Sequence, residues 1–282
     1  MPDRYAVIGN PVAHSQSPFI HAQFAAQFGH DIRYERLLSP LDGFESTLRQ
    51  WAESGAHGCN VTVPFKFEVP RLVPGCTPRA QLAGAANTVR FDASGWTADN
   101  TDGLGLVADI QQHAGMALRG CTVLLLGAGG AAAGVLGPLL AAQPALVVVL
   151  NRTAEKARAL ANAHEGWALA HGSRVVGGGL DEARIWCPQG CEVLVNGTAS
   201  SLAGASVALP DGLLRTGSLA VDMMYGPAAE PFLQWARTQG AQARDGLGML
   251  VEQAAEAYAF WRGTRPDTVP VLQALRQRLA AG

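Results

Sequence analysis

The chain has 282 residues, 48% hydrophobic and 16% charged, with 21 Lys and Arg against 23 Asp and Glu for a formal net charge of -2. That much apolar mass supports one large domain or two moderate ones and excludes a disordered chain. The near-neutral balance excludes a general nucleic-acid-binding surface, which needs an excess of cations to meet phosphates.

Strand and helix signals alternate from the start. Residues 5–8 read as a short strand and are followed by the loop Gly9-Asn10-Pro11-Val12-Ala13-His14-Ser15-Gln16. Ser17 as N-cap with Pro18 in the first turn opens a helix to about residue 28. Residues 32–37 alternate as a strand, and residues 41–53 are helical. Residues 59–63 form a strand that stops at Pro64, because proline cannot donate to a central ladder. Residues 87–91 and 96–98 pair as a hairpin with Ser94-Gly95 as the turn. Asp102 precedes a helix over residues 104–112.

No charged residue occurs between Arg119 and Arg152, a stretch long enough to span a membrane. Its glycines and prolines instead divide it into two buried parallel strands, 122–126 and 146–150, around an alanine-rich helix. Further strands are expected at 193–195 and 219–222, and helices at 247–261 and 269–279. The pattern is α/β with two domains.

Five cysteines (Cys59, Cys76, Cys121, Cys187 and Cys191) are an odd count that argues for a reducing compartment rather than a disulfide framework. Cys187 and Cys191 lack a second Cys/His pair at zinc spacing, so no metal is expected. Asp3 and Arg4 stand where a signal peptide needs apolar residues, which points to the cytoplasm. The N-x-T sequons at Asn60, Asn151 and Asn196 therefore carry no glycan meaning.

Gly127-Ala128-Gly129-Gly130-Ala131-Ala132 fits G-x-G-x-x-A between a strand and a helix. There the first glycine makes the turn, the second lets backbone approach a pyrophosphate, and the helix N-terminus offers free N–H groups. A tight turn in a helical hairpin is the plainer reading, but the two flanking strands favour a dinucleotide. After the second strand comes Asn151-Arg152-Thr153 with Lys156 one turn on, rather than the carboxylate that would bond a ribose 2′-hydroxyl. Two cations there suit a 2′-phosphate, so NADP is favoured over NAD.

Lys66 follows Asn60-Val61-Thr62-Val63-Pro64-Phe65, and Asp102 lies in Asp99-Asn100-Thr101-Asp102-Gly103. A lysine and an aspartate in a cleft can relay a proton during hydride transfer. Each residue taken alone also fits a plain role, as a surface lysine and a helix N-cap.

Over nearly its full length and in order, the chain resembles the shikimate dehydrogenase family. The resemblance rests on GNPVAHSQSPFIH, NVTVPFK, LAGAANT, DNTDG, GAGGA, NRT, DMMY and DGLGMLVEQAA. It implies an N-terminal α/β substrate domain over residues 1–102, with 247–282 returning to it, and a Rossmann-type parallel-sheet NADP domain over 103–246. The site is expected in the cleft between them. It further implies that Ser15 and Ser17 hold the substrate carboxylate. Thr62, Asn87, Asp102 and Gln253 would hold the ring hydroxyls, with Tyr225 close by, and Lys66 with Asp102 would be the catalytic pair. Gly127, Ala128, Gly129, Gly130, Ala131, Asn151, Arg152, Thr153, Lys156, Met223 and Gly246 would line the NADP site.

The implied activity is NADPH-dependent reversible reduction of 3-dehydroshikimate to shikimate, on the way to chorismate and the aromatic amino acids, by a monomer or homodimer. A quinate/shikimate dehydrogenase of the same fold is the nearest alternative. A non-catalytic ligand-binding relative is a further one, and the presence of both Lys66 and Asp102 argues against it. Two positions depart from the family pattern: Ala133, where many relatives carry Arg, and Pro78, where an acidic residue is frequent. Both bear on cofactor affinity rather than on the catalytic groups.

Overall fold

The computed structural model describes residues 2–198 and 209–281. The chain divides into two compact units, one of residues 1–105 with 250–282 and one of residues 106–249.

In the first unit, β1 (Asp3–Gly9) leads through α1 (Ser17–Phe28) to β2 (Ile32–Leu38), and through α2 (Phe44–Glu53) to β3 (Gly58–Val61). Then come α3 (Val69–Leu72), β4 (Gly75–Cys76), α4 (Pro78–Ala83), the hairpin β5 (Thr88–Asp92) and β6 (Gly95–Asp99), and α5 (Asp102–Ala108). The six strands form one mixed sheet in the order β2-β1-β3-β5-β6-β4, with β1, β2 and β3 parallel and β5 antiparallel to both its neighbours. Ala6, Ile8, Cys59 and Val61 meet Phe44, Leu48 and Trp51 of α2 in the core on one face.

The second unit is a fully parallel sheet. β7 (Thr122–Leu126), α6 (Gly130–Ala141), β8 (Leu146–Leu150), α7 (Ala154–Ala170) and β9 (Arg174–Gly178) make its first half. α8 (Ala183–Trp186), β10 (Val193–Asn196), β11 (Leu219–Asp222), α9 (Glu230–Thr238) and β12 (Gln242–Arg244) make the second. The strand order is β12-β11-β10-β7-β8-β9, so the chain reverses direction across the sheet beside β7, the topological switch point where such folds bind ligands. Val123, Leu125, Val147 and Val149 fill the core on one face, and Leu124, Leu126, Val148 and Leu150 fill the other. Burial on both faces is why these strands are unbroken apolar runs rather than alternating ones.

The chain ends with α10 (Leu247–Arg262) and α11 (Val269–Ala281). Within the first unit, Trp261 of α10 stacks on Tyr5 with ring centroids 4.6 Å apart. α11 reaches α1 through Arg278, which lies 5.0 Å from the centre of the Phe19 ring. Among the described residues no helix is long and apolar enough to cross a membrane.

Several element boundaries differ from the sequence reading. Ser17 is the first residue of α1 rather than its cap; Gln16 holds the cap position, and the Ser15 hydroxyl accepts from the Ser17 N–H at 3.3 Å. α2 starts at Phe44 rather than 41, because Pro40 to Gly43 close a turn through the Gly43 N–H and the Pro40 carbonyl. β3 stops at Val61, since Thr62 to Phe65 form a further turn that includes a cis Val63–Pro64 bond. The helix expected over 104–112 begins at Asp102 and widens to a π-turn over Asp109–His113, where the buried Asp109 carboxylate takes Arg244 at 2.6 Å. β5 and β6 enclose Ala93-Ser94, so Gly95 opens β6 instead of completing the turn.

Candidate active site

Lys66 sits in a single 3-10 turn, Phe65–Phe67. Phe65 is fully buried and stacks on Phe44 at 4.6 Å, which fixes the turn. The Lys66 carbonyl accepts from the Ala86 N–H at 2.9 Å, tying the turn to the segment that carries Asn87. From there Lys66 Nζ donates to Asp102 Oδ2 at 2.6 Å, with side chains only 15% and 6% exposed. Water is nearly excluded from this ion pair.

Asp102 is held from its other side. Its Oδ1 accepts from Asn87 Nδ2 at 2.9 Å, and its backbone N–H donates to Asn100 Oδ1 at 3.2 Å. Asn87 Nδ2 also faces Gln253 Oε1 at 3.1 Å and Thr101 Oγ1 at 2.9 Å. The Thr101 N–H donates to Asn87 Oδ1 at 2.9 Å, and that contact decides which way round the amide lies. Gln253 is anchored in turn by its Nε2, which donates to the Leu250 carbonyl at 2.9 Å. Asp99 supports the segment from below: its buried carboxylate takes Arg79 Nε at 2.7 Å and Thr77 Oγ1 at 2.5 Å.

The remaining predicted residues of the first unit flank this cluster in the chain. Ser15 Oγ donates to Ser17 Oγ at 3.1 Å, so two hydroxyls converge at the start of α1. Thr62 is half-buried just past β3; its methyl lies where a Gly9 Cβ would stand, 2.3 Å away, and its hydroxyl has no hydrogen-bond partner among the described residues. The structure therefore brings together Lys66, Asp102, Asn87 and Gln253, and pairs Ser15 with Ser17.

Sequence reasoning passed over Asn60, Thr101, Tyr34 and His21 here. Buried Asn60 accepts from the Tyr34 hydroxyl at 2.7 Å and donates to Thr88 Oγ1 at 2.9 Å, extending the network behind Asn87. Thr101 joins Asn87 to Gln253. Asn60 lies two residues before Thr62 along an extended segment, a spacing that puts alternate side chains on one side and could have been read. Burial pushes the Tyr34 hydroxyl pKa well up. His21 is fully buried and stacks on Tyr34 at 4.4 Å, and neither ring nitrogen has a hydrogen-bond partner among the described residues. Burial pulls its pKa down to about 3, opposed only in part by nearby Asn60, so the ring is neutral.

The second unit carries the other group of predicted residues at the ends of β7, β8, β10 and β11. Gly127 turns out of β7 at φ 104°, a conformation that favours glycine, and a Cβ there would lie 3.0 Å from the Gly197 carbonyl. Ala128 follows, and a Cβ on Gly129, at the N-cap of α6, would meet nothing within 4 Å among the described residues. Among the described residues no side chain caps this helix, so its first N–H groups are open to an anion. Gly246 closes on β11: its N–H donates to the Met224 carbonyl at 2.8 Å, and a Cβ would clash with the Met223 carbonyl at 2.4 Å. Met223 Sδ lies 3.1 Å from where a Gly197 Cβ would be, and half-buried Tyr225 follows two residues later.

At the end of β8, Asn151 Nδ2 donates to the Thr153 carbonyl at 3.0 Å. Arg152 and Lys156 are exposed and have no carboxylate partner among the described residues. A helix N-terminus with no side-chain cap among the described residues, at the switch point and one strand away from Arg152 and Lys156, fits a dinucleotide carrying an extra phosphate.

Comparison with known proteins agrees in sequence and in fold. Residues 7–89 match the family described as Shikimate dehydrogenase substrate binding domain. Residues 109–172 match Shikimate / quinate 5-dehydrogenase, and 246–276 match Shikimate 5'-dehydrogenase C-terminal domain. A shikimate dehydrogenase (NADP(+)) of Methylibium petroleiphilum is 58% identical over 280 residues, 97% of this chain and 94% of that protein. Among solved structures, an Ael1 enzyme from Pseudomonas putida is 42% identical with a TM-score of 0.87, covering 97% of this chain and 98% of that one. Shikimate 5-dehydrogenase from Thermus thermophilus, in complex with NADP(H) and shikimate, is 34% identical with a TM-score of 0.82 over 98% of this chain and 99% of that one.

Proposed function

The chain belongs to the shikimate dehydrogenase family, and we propose that it catalyses the reversible NADPH-dependent reduction of 3-dehydroshikimate to shikimate. The observation that carries this reading is the Lys66–Asp102 pair, 2.6 Å long and bound into a buried amide cluster.

Bound NADPH supplies the hydride. In that direction the Lys66 ammonium gives a proton to the oxygen of the carbonyl being reduced, and in oxidation Lys66 takes it back from the hydroxyl. Asp102 accepts from Lys66 through Oδ2 and holds the ammonium in place; Asn87 on Oδ1 keeps the carboxylate from turning away. Thr62, Asn87, Asp102 and Gln253 bind the ring hydroxyls, and Tyr225 adds a further polar group. The hydroxyls of Ser15 and Ser17 donate to the carboxylate. The first unit is thus the substrate domain and the second the NADP domain.

For the cofactor, backbone from Gly127 to Ala131 would hold the pyrophosphate and Asn151, Arg152, Thr153 and Lys156 the 2′-phosphate, with Met223 and Gly246 lining the rest of the NADP site. Nothing in this assignment requires a metal. A cytoplasmic location fits the five free cysteines, three of them buried. Incubation with shikimate and NADP, following formation of the reduced nicotinamide, tests the reading.

A further inference from the structure

Arg36 lies on β2 and points two of its guanidinium nitrogens at one neutral atom. Nε and Nη2 donate to the Ser15 carbonyl oxygen at 2.9 and 2.6 Å. This is the loop whose hydroxyl reaches Ser17 Oγ. Alternation along β2 puts Arg33 and Glu35 on one face, where they pair at 2.9 Å, and Tyr34 and Arg36 on the other. Arg36 therefore has no carboxylate partner among the described residues, and its charge is uncompensated. Arginine usually spends its fork on an anion, so one held against a carbonyl leaves a full positive charge beside the two serines.

We infer that Arg36 supplies the positive charge that selects an anionic substrate at the Ser15–Ser17 pair, holding the Ser15 loop while it does so. The inference rests on the proposed role of the two serines in binding the carboxylate. Two hydroxyls alone offer a carboxylate neutral donors and no charge, and they would take an ester or amide almost as well. The guanidinium contributes attraction that a neutral ligand does not feel. Because Arg36 is exposed, salt screens that attraction.

The test compares shikimate with its methyl ester, which keeps the ring hydroxyls and loses the charge. In Arg36→Gln, KM for shikimate should rise roughly three- to thirtyfold, the range for a unit charge several ångströms away at intermediate dielectric. KM for the ester and KM for NADP should change less than twofold, and Arg36→Lys should recover most of the loss. In the unmodified protein, raising the salt should weaken shikimate more than the ester, a comparison that needs no variant. An equal rise for acid and ester would reduce Arg36 to a support of the loop and overturn the inference, as would an unchanged KM for shikimate or an equal salt effect on the two. Failure of the unmodified protein to turn over shikimate would instead defeat the functional reading beneath it.

Discussion

Replacing Lys66 by Met keeps the apolar stem and removes the charge and the proton carrier. The pair it breaks is 2.6 Å long between side chains 15% and 6% exposed, so Asp102 is left as a nearly buried carboxylate without its cation. Removing one partner of a buried ion pair costs roughly 3–5 kcal/mol. Here Asp102 Oδ1 keeps Asn87 at 2.9 Å, so the loss of stability should be smaller, roughly 1–3 kcal/mol. The effect on chemistry should be larger: kcat should fall by about 10²–10⁴, with a smaller change in KM, because ring hydroxyls and carboxylate are held by other residues. Steady-state rates with shikimate and NADP measure the first, and urea unfolding the second. Lys66→Met/Asp102→Asn should regain part of the stability while staying inactive, which separates the two effects. Near-normal kcat in Lys66→Met would refute the acid–base assignment.

Arg152→Ala should lose a charge-assisted contact of roughly 1.5–3 kcal/mol, one to two powers of ten in NADP affinity, and change NAD binding little; titration with both cofactors checks this, and an unchanged preference ratio would move the discrimination to Lys156. His21 titrates near 6.5 when unfolded and near 3 when folded, so between those values the unfolded state holds the extra proton and stability falls as pH falls, by up to about 1.4 kcal/mol per pH unit. Urea unfolding from pH 7 to 4.5 should show that slope, and His21→Phe should reduce it. Shikimate should be preferred over quinate by at least roughly tenfold in kcat/KM with NADP, since a pocket fitted to the planar acid must desolvate quinate's extra hydroxyl without a partner; comparable rates would favour the quinate/shikimate reading.

The parts of the fold legible in sequence were those with a short-range signature. β7, α6 and β8 announce themselves through apolar runs broken by Gly127, Gly129 and Gly130, because both faces are buried and the turn requires φ 104°. β9 gives no such sign. It ends in Gly177-Gly178, a pair typical of turns, yet a Cβ on Gly177 would lie 2.4 Å from the Ala157 carbonyl: Gly177 lets α7 press onto the strand. β4 and β12 have two and three residues, too few for any periodicity to show.

The candidate site divides the same way. Lys66 and Asp102 stand out from their own surroundings as a candidate proton relay, whereas Asn87 and Gln253 are pointed to only by motif resemblance, since 166 residues separate them and no spacing rule connects them. Asn60 and Thr101 were passed over because their part is to orient the amide of Asn87, a role visible only once the donors and acceptors can be followed atom by atom. Arg36 carries no sequence signal beyond a charge on a strand; what sets it apart is its fork on the Ser15 carbonyl and the lack of a carboxylate partner among the described residues.

The most direct test of the proposed activity is the initial rate of the purified protein with 3-dehydroshikimate and NADPH, compared with the same substrate and NADH. The account predicts turnover to shikimate, with NADPH the better donor. Absence of turnover by the folded protein with either nucleotide would contradict it.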